Sequence, residues 1–318
     1  MTKQNLSDGM AQAIICNSGN ANTCNADGIE KATAMCDLVQ AHTKINSGDV
    51  IVASTGVIGE PLNMQPIQDG MKSLVDGLSY DGSSYAAQAI MTTDRVQKEI
   101  AYSFELDGKE CRIGGIAKGS GMINPNMATL LCFMTTDVDI SSEMLNVALG
   151  KVVKDTLNMV CIDGDTSTND MLSIMSSGLA GNGKITQKGS QFNTFCKCLQ
   201  KALTYLAKEI AKDGEGATKL LECKVVKAKN TKCAKSIASS VVSSSLVKAA
   251  MFASDANWGR ILCAIGYTQE QFDVSKIDVD LKSTAGTVRV CENGAGVKFD
   301  EEIATKVLSQ SEVCILVD

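Results

Sequence analysis

Thr129 stands in the stretch GMINPNMATLLCFMTTD (121–137), directly after Ala128 and shortly after the turn-forming Asn124-Pro125-Asn126. It opens a run with strand character. A threonine hydroxyl is a weak nucleophile unless a base takes its proton. The usual base is histidine, and the chain has one, His42. His42 lies in EKATAMCDLVQAHTKINSG, near the C-terminal end of an amphipathic helix pattern. A cation there suits the helix dipole, so His42 is expected on the surface or in the last helical turn. A Ser-His-Asp or Cys-His pair would have to use it, and a zinc site built on histidines is nearly excluded for want of ligands. Another base is available. Cutting the Ala128–Thr129 bond frees an α-amine with a pKa of about 7.7–8.0, which can accept the proton of its own hydroxyl. A small residue on the acyl side and a kinked approach ease that cut. The alternative is a threonine that only opens a strand.

Other stretches carry weaker signals. In ASTGVIGEPL (53–62), Ser54, Thr55 and Gly56 follow a strand-like run. Small residues there let backbone N–H groups approach a ligand, which suits an oxyanion hole; the plainer reading is a strand-to-helix turn. The loop CNSGNANTCNADG (16–28) is structural or presents backbone donors to a site. CIDGDTSTND (161–170) gathers Asp163, Asp165 and Asp170 without EF-hand spacing or its closing glutamate, so a hydrogen-bonded turn is expected over a cation loop. In GLAGNGKIT (178–186), Gly178, Gly183 and Lys184 fit a P-loop, but Ile185 stands where the magnesium-binding hydroxyl belongs. A Gly-Asn-Gly hairpin turn is expected instead.

These residues need a scaffold, and 318 residues supply one large or two ordinary domains. A net charge of -6 leaves no basic stripe to neutralise phosphates, and 4% aromatic residues give little to stack bases on. The apolar runs are too short to span a membrane, and the opening MTKQNLSDGM has no signal-peptide core. Thirteen cysteines are scattered through apolar contexts such as AIICNS, LLCFM and RILCAIG, with no C-x-x-C. They are expected to be reduced, buried, small apolar residues of a cytoplasmic protein.

Strand character appears at 12–17, 49–53, 99–106, 111–117, 129–137, 158–162, 222–228, 276–281, 286–291 and 313–317. Helical periodicity appears at 28–43, 64–77, 142–157, 190–212, 245–253 and 301–310. Adjacent strands near 99–117 and 276–291, with helices in blocks elsewhere, predict an α+β fold rather than a doubly wound parallel sheet. The serine-rich stretch 229–246 marks a joint between a catalytic core, 1–228, and a smaller α/β portion, 229–318.

Seven motifs then coincide in order: NSGNAN (17–22), STGVIG (54–59), MTTD (91–94), GGIAKGSGMINPNMATLL (114–131), DGDTSTND (163–170), DGEGATK (213–219) and ASDANWGRILCAIGY (253–267). Together they resemble the ornithine acetyltransferase family of arginine biosynthesis, the bifunctional glutamate N-acetyltransferases, over almost the whole chain. The resemblance implies a layered αββα core of the N-terminal-nucleophile kind and self-cleavage between Ala128 and Thr129. Thr129 then takes acetyl from N-acetylornithine as an acetyl-enzyme and passes it to glutamate. Some members also accept acetyl-CoA; no metal or cofactor is implied. Thr55 and Gly56 match the family's oxyanion hole. Lys118, Thr93 or Thr92, and Glu215 match substrate-contacting positions. The chains 1–128 and 129–318 are expected to stay interleaved and to form a homo-oligomer of the pair, with neither nucleic acid nor membrane as partner. Family members extend further at both ends. The resemblance leaves two other readings: a self-cleaving N-terminal-nucleophile aminopeptidase, and a shortened inactive paralogue.

Overall fold

The computed structural model describes residues 1–124 and 130–318, so Ala128 and Thr129 lie outside the described residues. The chain divides into two compact units, residues 1–160 with 165–215, and residues 161–164 with 216–318. The mixture of helices and sheets is α+β, as the pattern predicts.

The first unit runs α1 (Thr2–Asn5), β1 (Ala13–Asn20), α2 (Gly28–Thr43), β2 (Val50–Val57), α3 (Gln65–Asp76), α4 (Ser83–Ala89), β3 (Lys98–Leu106), β4 (Lys109–Lys118), β5 (Leu131–Thr136), α5 (Ser142–Val152), β6 (Met171–Ser176) and α6 (Ser190–Lys212). β1 and β2 pair in parallel, with Gly19 opposite Gly56. β2 is buried from Val50 to Ala53 because both of its faces are covered. Val50 and Val52 pack with Ile15, Met35, Val39 and Met71 on one side. Ala53 packs with Leu131 and Phe133 on the other. β3 and β4 form a hairpin whose Asp107-Gly108 turn takes positive φ at both residues, 55° and 70°. Such a turn matches the right-handed twist of the strands it joins. β4 continues antiparallel to β5, and β5 parallel to β6. α6 presents Phe192, Phe195, Leu199, Leu203, Leu206 and Ile210 along one buried stripe and packs across β3 and β4.

The second unit contains β7 (Leu220–Val225), α7 (Thr231–Ser243), α8 (Ser245–Phe252), α9 (Trp258–Gly266), β8 (Val279–Ser283), β9 (Gly286–Glu292), β10 (Ala295–Gly296), α10 (Glu301–Leu308) and β11 (Glu312–Val317). Its sheet order is β10-β9-β8-β11-β7, antiparallel except for β11 beside β7. The serine-rich stretch folds as α7 and the start of α8, each opened by a side-chain cap, Asn230 on the Cys233 N–H and Ser244 on the Val247 N–H.

Three expectations are corrected. Residues 158–162 form no strand: a 3-10 turn at Leu157–Met159 runs into a loop. The segment 178–186 is not a hairpin, because the chain passes from β6 to α6 without a returning strand. Asn182 stitches that loop instead, accepting from the Asp139 N–H and donating to the Asp139 carbonyl. Cys24 and Cys263, expected to be buried, are exposed, Cys263 on α9, whose buried face is Ile261, Ala264 and Ile265. Among the described residues no helix is long and apolar enough to cross a membrane.

Candidate active site

The end of β2 is shaped by glycine. Gly56 has φ of 133°, a region that favours residues without a Cβ. A Cβ built there would lie 2.1 Å from the Gly19 carbonyl carbon and 2.5 Å from the Asn20 nitrogen. The two backbones therefore touch, and the pairing register shifts at Asn20. Thr55, beside it, is buried, and its hydroxyl has no hydrogen-bond partner among the described residues. Side chains alternate along a strand, so Thr55 shares the face of Ala53, which packs on Leu131. A buried unpaired hydroxyl is costly and is usually retained for a ligand or water.

Neighbouring loops hold this corner. Asn169 donates to the Ser54 carbonyl and, at 3.3 Å, to the Ala21 carbonyl. Asn17 donates to the Asn20 carbonyl at 2.8 Å, and the Asn20 side chain accepts from the Asn22 N–H at 2.8 Å. The asparagines of the first loop thus serve the backbone. Asp170 accepts from the Leu130 N–H at 2.8 Å, while its other oxygen is buried with no partner among the described residues. Burial lifts the Asp170 carboxyl to about 6, against the pull of that N–H. The aspartate-rich stretch therefore positions backbone, and among the described residues no cluster of three or more His, Cys, Asp or Glu could hold a metal ion.

The second group of predicted residues converges by hydrogen bonding. Lys118, at the end of β4, is 3% exposed and donates to Thr92 Oγ1 at 2.8 Å. Thr93 Oγ1 lies 2.6 Å from Ser120 Oγ and donates to Glu215 Oε1 at 2.6 Å. Glu215 follows α6, and its N–H donates to the Ser120 carbonyl at 2.7 Å. A Cβ on Gly121 would meet Glu215 Oε1 at 2.7 Å, so a side chain there would push that carboxylate aside. Ser18 of β1 donates to the Ile90 carbonyl at 2.6 Å, tying the glycine corner to the segment that carries Thr92 and Thr93.

Charge beneath this group is buried. Asp94 accepts from the Gly119 N–H and from Lys98, and lies 3.7 Å from Lys118. Burial pushes the Asp94 carboxyl up, but the Lys98 and Gly119 hydrogen bonds and both lysine charges outweigh it and hold the group below its ordinary range. Burial pulls the Lys118 ammonium below the ordinary lysine range, with Asp94 pulling the other way. Cys16, half-buried on β1, is pushed up to about 12 by desolvation, which leaves it a protonated thiol.

Thr92, Thr93, Lys118 and Glu215 are brought together, and Thr55 and Gly56 form the second corner; Ala128 and Thr129 lie outside the described residues. His42 sits exposed in the last turn of α2 and binds the Leu38 carbonyl. Asp94, Lys98, Ser120, Asp170 and Asp213 were not among the predicted site residues. Asp94, Ser120, Asp170 and Asp213 lie inside quoted motifs, which was the available signal; Lys98 has none in the sequence.

The ArgJ family model matches residues 1–318. The chain is 48% identical over 307 residues to arginine biosynthesis bifunctional protein ArgJ 1 of Clostridium acetobutylicum, covering 96% of this chain and 75% of that protein. It is 48% identical over 311 residues to the ArgJ protein of Caldanaerobacter subterraneus subsp. tengcongensis, covering 98% and 77%. The crystal structure of the ArgJ protein of Bacillus halodurans aligns with a TM-score of 0.54 at 41% identity, covering 58% of this chain and 86% of that one.

Proposed function

The chain belongs to the ArgJ family and is an acetyltransferase of arginine biosynthesis that moves acetyl from N-acetylornithine to glutamate, and we propose that Thr129 carries the acetyl group between them. The observation that supports this reading is the buried Thr55 hydroxyl, without a partner among the described residues, beside Gly56 and on the strand face that packs on Leu131, two residues from Thr129 in sequence. The packing of Ala53 on β5 also supports an αββα core, with the β1–β2 sheet facing the β3–β6 sheet.

In the uncut chain, Thr129 Oγ attacks the Ala128 carbonyl carbon, the peptide C–N bond breaks, and the Thr129 nitrogen takes the proton. Water then hydrolyses the resulting ester, leaving an Ala128 carboxylate and a free Thr129 amine. That amine takes the hydroxyl proton as Oγ attacks the acetyl carbon of N-acetylornithine. The Thr55 hydroxyl and the Gly56 N–H stabilise the oxyanion. The acetyl C–N bond breaks, the proton passes to the leaving nitrogen, and ornithine departs. The glutamate amine then attacks the ester and restores Thr129. Lys118 meets the substrate carboxylate, and Glu215 the side-chain ammonium of ornithine.

Intact mass under denaturing conditions tests the first step: two masses that sum to the whole chain, cut before Thr129, are expected. Incubation with acetyl-labelled N-acetylornithine should then add one acetyl group to the chain that begins at Thr129. Thr129→Ala should abolish cleavage and transfer together, and normal turnover by that variant would sink the mechanism.

A further inference from the structure

Lys98 is 1% exposed and heads the largest fully buried side chains. Its ammonium donates to Asp94 Oδ1 at 2.8 Å, to Asp213 Oδ2 at 2.7 Å and to the Val96 carbonyl at 3.2 Å. Those three bonds use its whole donor set. Asp94 is itself bound by the Gly119 N–H at 2.7 Å and the Thr92 N–H at 3.2 Å. Asp213 accepts from the Arg95 N–H at 2.9 Å, the Val96 N–H at 3.3 Å and Arg95 Nε at 3.1 Å. Burial pushes the Asp213 carboxyl up, and Lys98 with these N–H groups outweighs it and holds the group low.

One buried cation therefore joins three separate pieces of chain: the loop of Thr92 and Thr93, the end of β4 with Lys118, and the turn after α6 with Glu215. An apolar side chain would fill the same space without the expense of burying charge. It could not hold two carboxylates on one atom. None of the three groups faces solvent, since the side chains of Lys98 and Asp94 are 0% exposed and that of Asp213 is 4% exposed. They cannot themselves touch a substrate.

We propose that Lys98, with Asp94 and Asp213, is the positioning element that sets the mutual register of Thr92, Thr93, Lys118 and Glu215, and so the affinity of the pocket for amino-acid substrates carrying both carboxylate and ammonium groups. The inference rests on reading those four residues as the substrate contacts. Displacing them weakens binding of substrate and transition state alike, which raises KM and leaves kcat nearly intact.

The test uses the full chain and Asp213→Asn, which keeps the shape of the side chain and leaves the Lys98–Asp94 pair in place. Lys98→Met is the harsher partner variant, and Asp213→Asn keeps the test open if it does not fold. Asp213→Asn should be cut before Thr129 to the same extent as the parent. Its KM for both N-acetylornithine and glutamate should rise about tenfold or more, with kcat within about threefold. Unchanged KM in a variant that merely melts lower would overturn the proposal, as would a fall in kcat at constant KM. Calorimetry with ornithine separates this inference from the acetyltransferase reading. A parent that binds ornithine without transferring acetyl sinks the role of Thr129, while an ornithine Kd about tenfold weaker in Asp213→Asn still upholds the triad. Equal Kd values, or no ornithine binding by the parent, overturn it.

Discussion

At the end of β2 two backbones touch and a buried hydroxyl has no partner among the described residues. Around Lys118 and Glu215, a web of hydrogen bonds runs from Thr92 to Asp213 with three buried charges beneath it. The first region keeps a donor idle in a dry place, as suits a group whose partner exists only while the reaction is under way. The second spends its polar groups on one another, which fixes the spacing of the Lys118 cation and the Glu215 anion. On the proposed reading, oxyanion stabilisation is kept apart from recognition, and each can be broken without the other.

The harshest break is Gly56→Ala. Its methyl would overlap the Gly19 backbone, which has no flexible end to yield, and the positive φ adds strain. A loss on the order of 4 kcal/mol in denaturant unfolding is expected, with transfer lost as well. A variant that unfolds with the parent would mean that the two strands part freely and the corner is not rigid. Thr55→Val is the sharper cut. It removes a hydroxyl with no partner among the described residues, so unfolding should change by less than about 1 kcal/mol. By contrast kcat should fall about 10²–10³-fold. Unchanged kcat would remove the hydroxyl from the oxyanion site and leave that task to the backbone.

The two regions also differed in how far the sequence revealed them. Long periodic elements such as α6 and the β3–β4 hairpin were legible, because their apolar spacing and turn residues agree with their burial. β6, MLSIMS, was missed, since methionine and serine carry no β-branched signal and its strand is made by pairing with β5. α7 was hidden by its serines, although Cys233, Ile237 and Val241 form its buried stripe. NMVCI suggested a strand on apolar content alone, but the backbone turns there. Within the site, Lys118, Glu215 and the two threonines lie in motifs that read in order along the chain. Lys98 and Asp213 are partners across 115 positions, a pairing no local pattern encodes.

Glu215→Ala sharpens the recognition side. The side chain is exposed, so stability should move by less than about 0.5 kcal/mol. KM for N-acetylornithine should rise about tenfold, through the loss of one charge-assisted contact. An unchanged KM would take Glu215 out of the pocket.

Asp170→Asn tests whether Asp170 belongs with the Thr55 corner. Burial raises its carboxyl from 3.8 to about 6 in the folded chain. Between those values the folded state holds a proton that the unfolded state has released, so the Asp170 contribution to stability is full below about 4 and is lost as pH rises through 6. Asp94 and Asp213 have the opposite sign. Their carboxyls are held low, so the stability they supply is lost only as pH falls below the ordinary carboxylate range. The two contributions therefore occupy different pH windows. Asparagine keeps an oxygen for the Leu130 N–H and carries no charge into the site. Unfolding free energies measured from about pH 4 to pH 7 should fall less steeply in Asp170→Asn than in the parent, with the variant relatively more stable above 6. Parallel curves would mean that the second Asp170 oxygen is solvated in solution, and Asp170 would then lie outside the dry corner that Thr55 and Gly56 define.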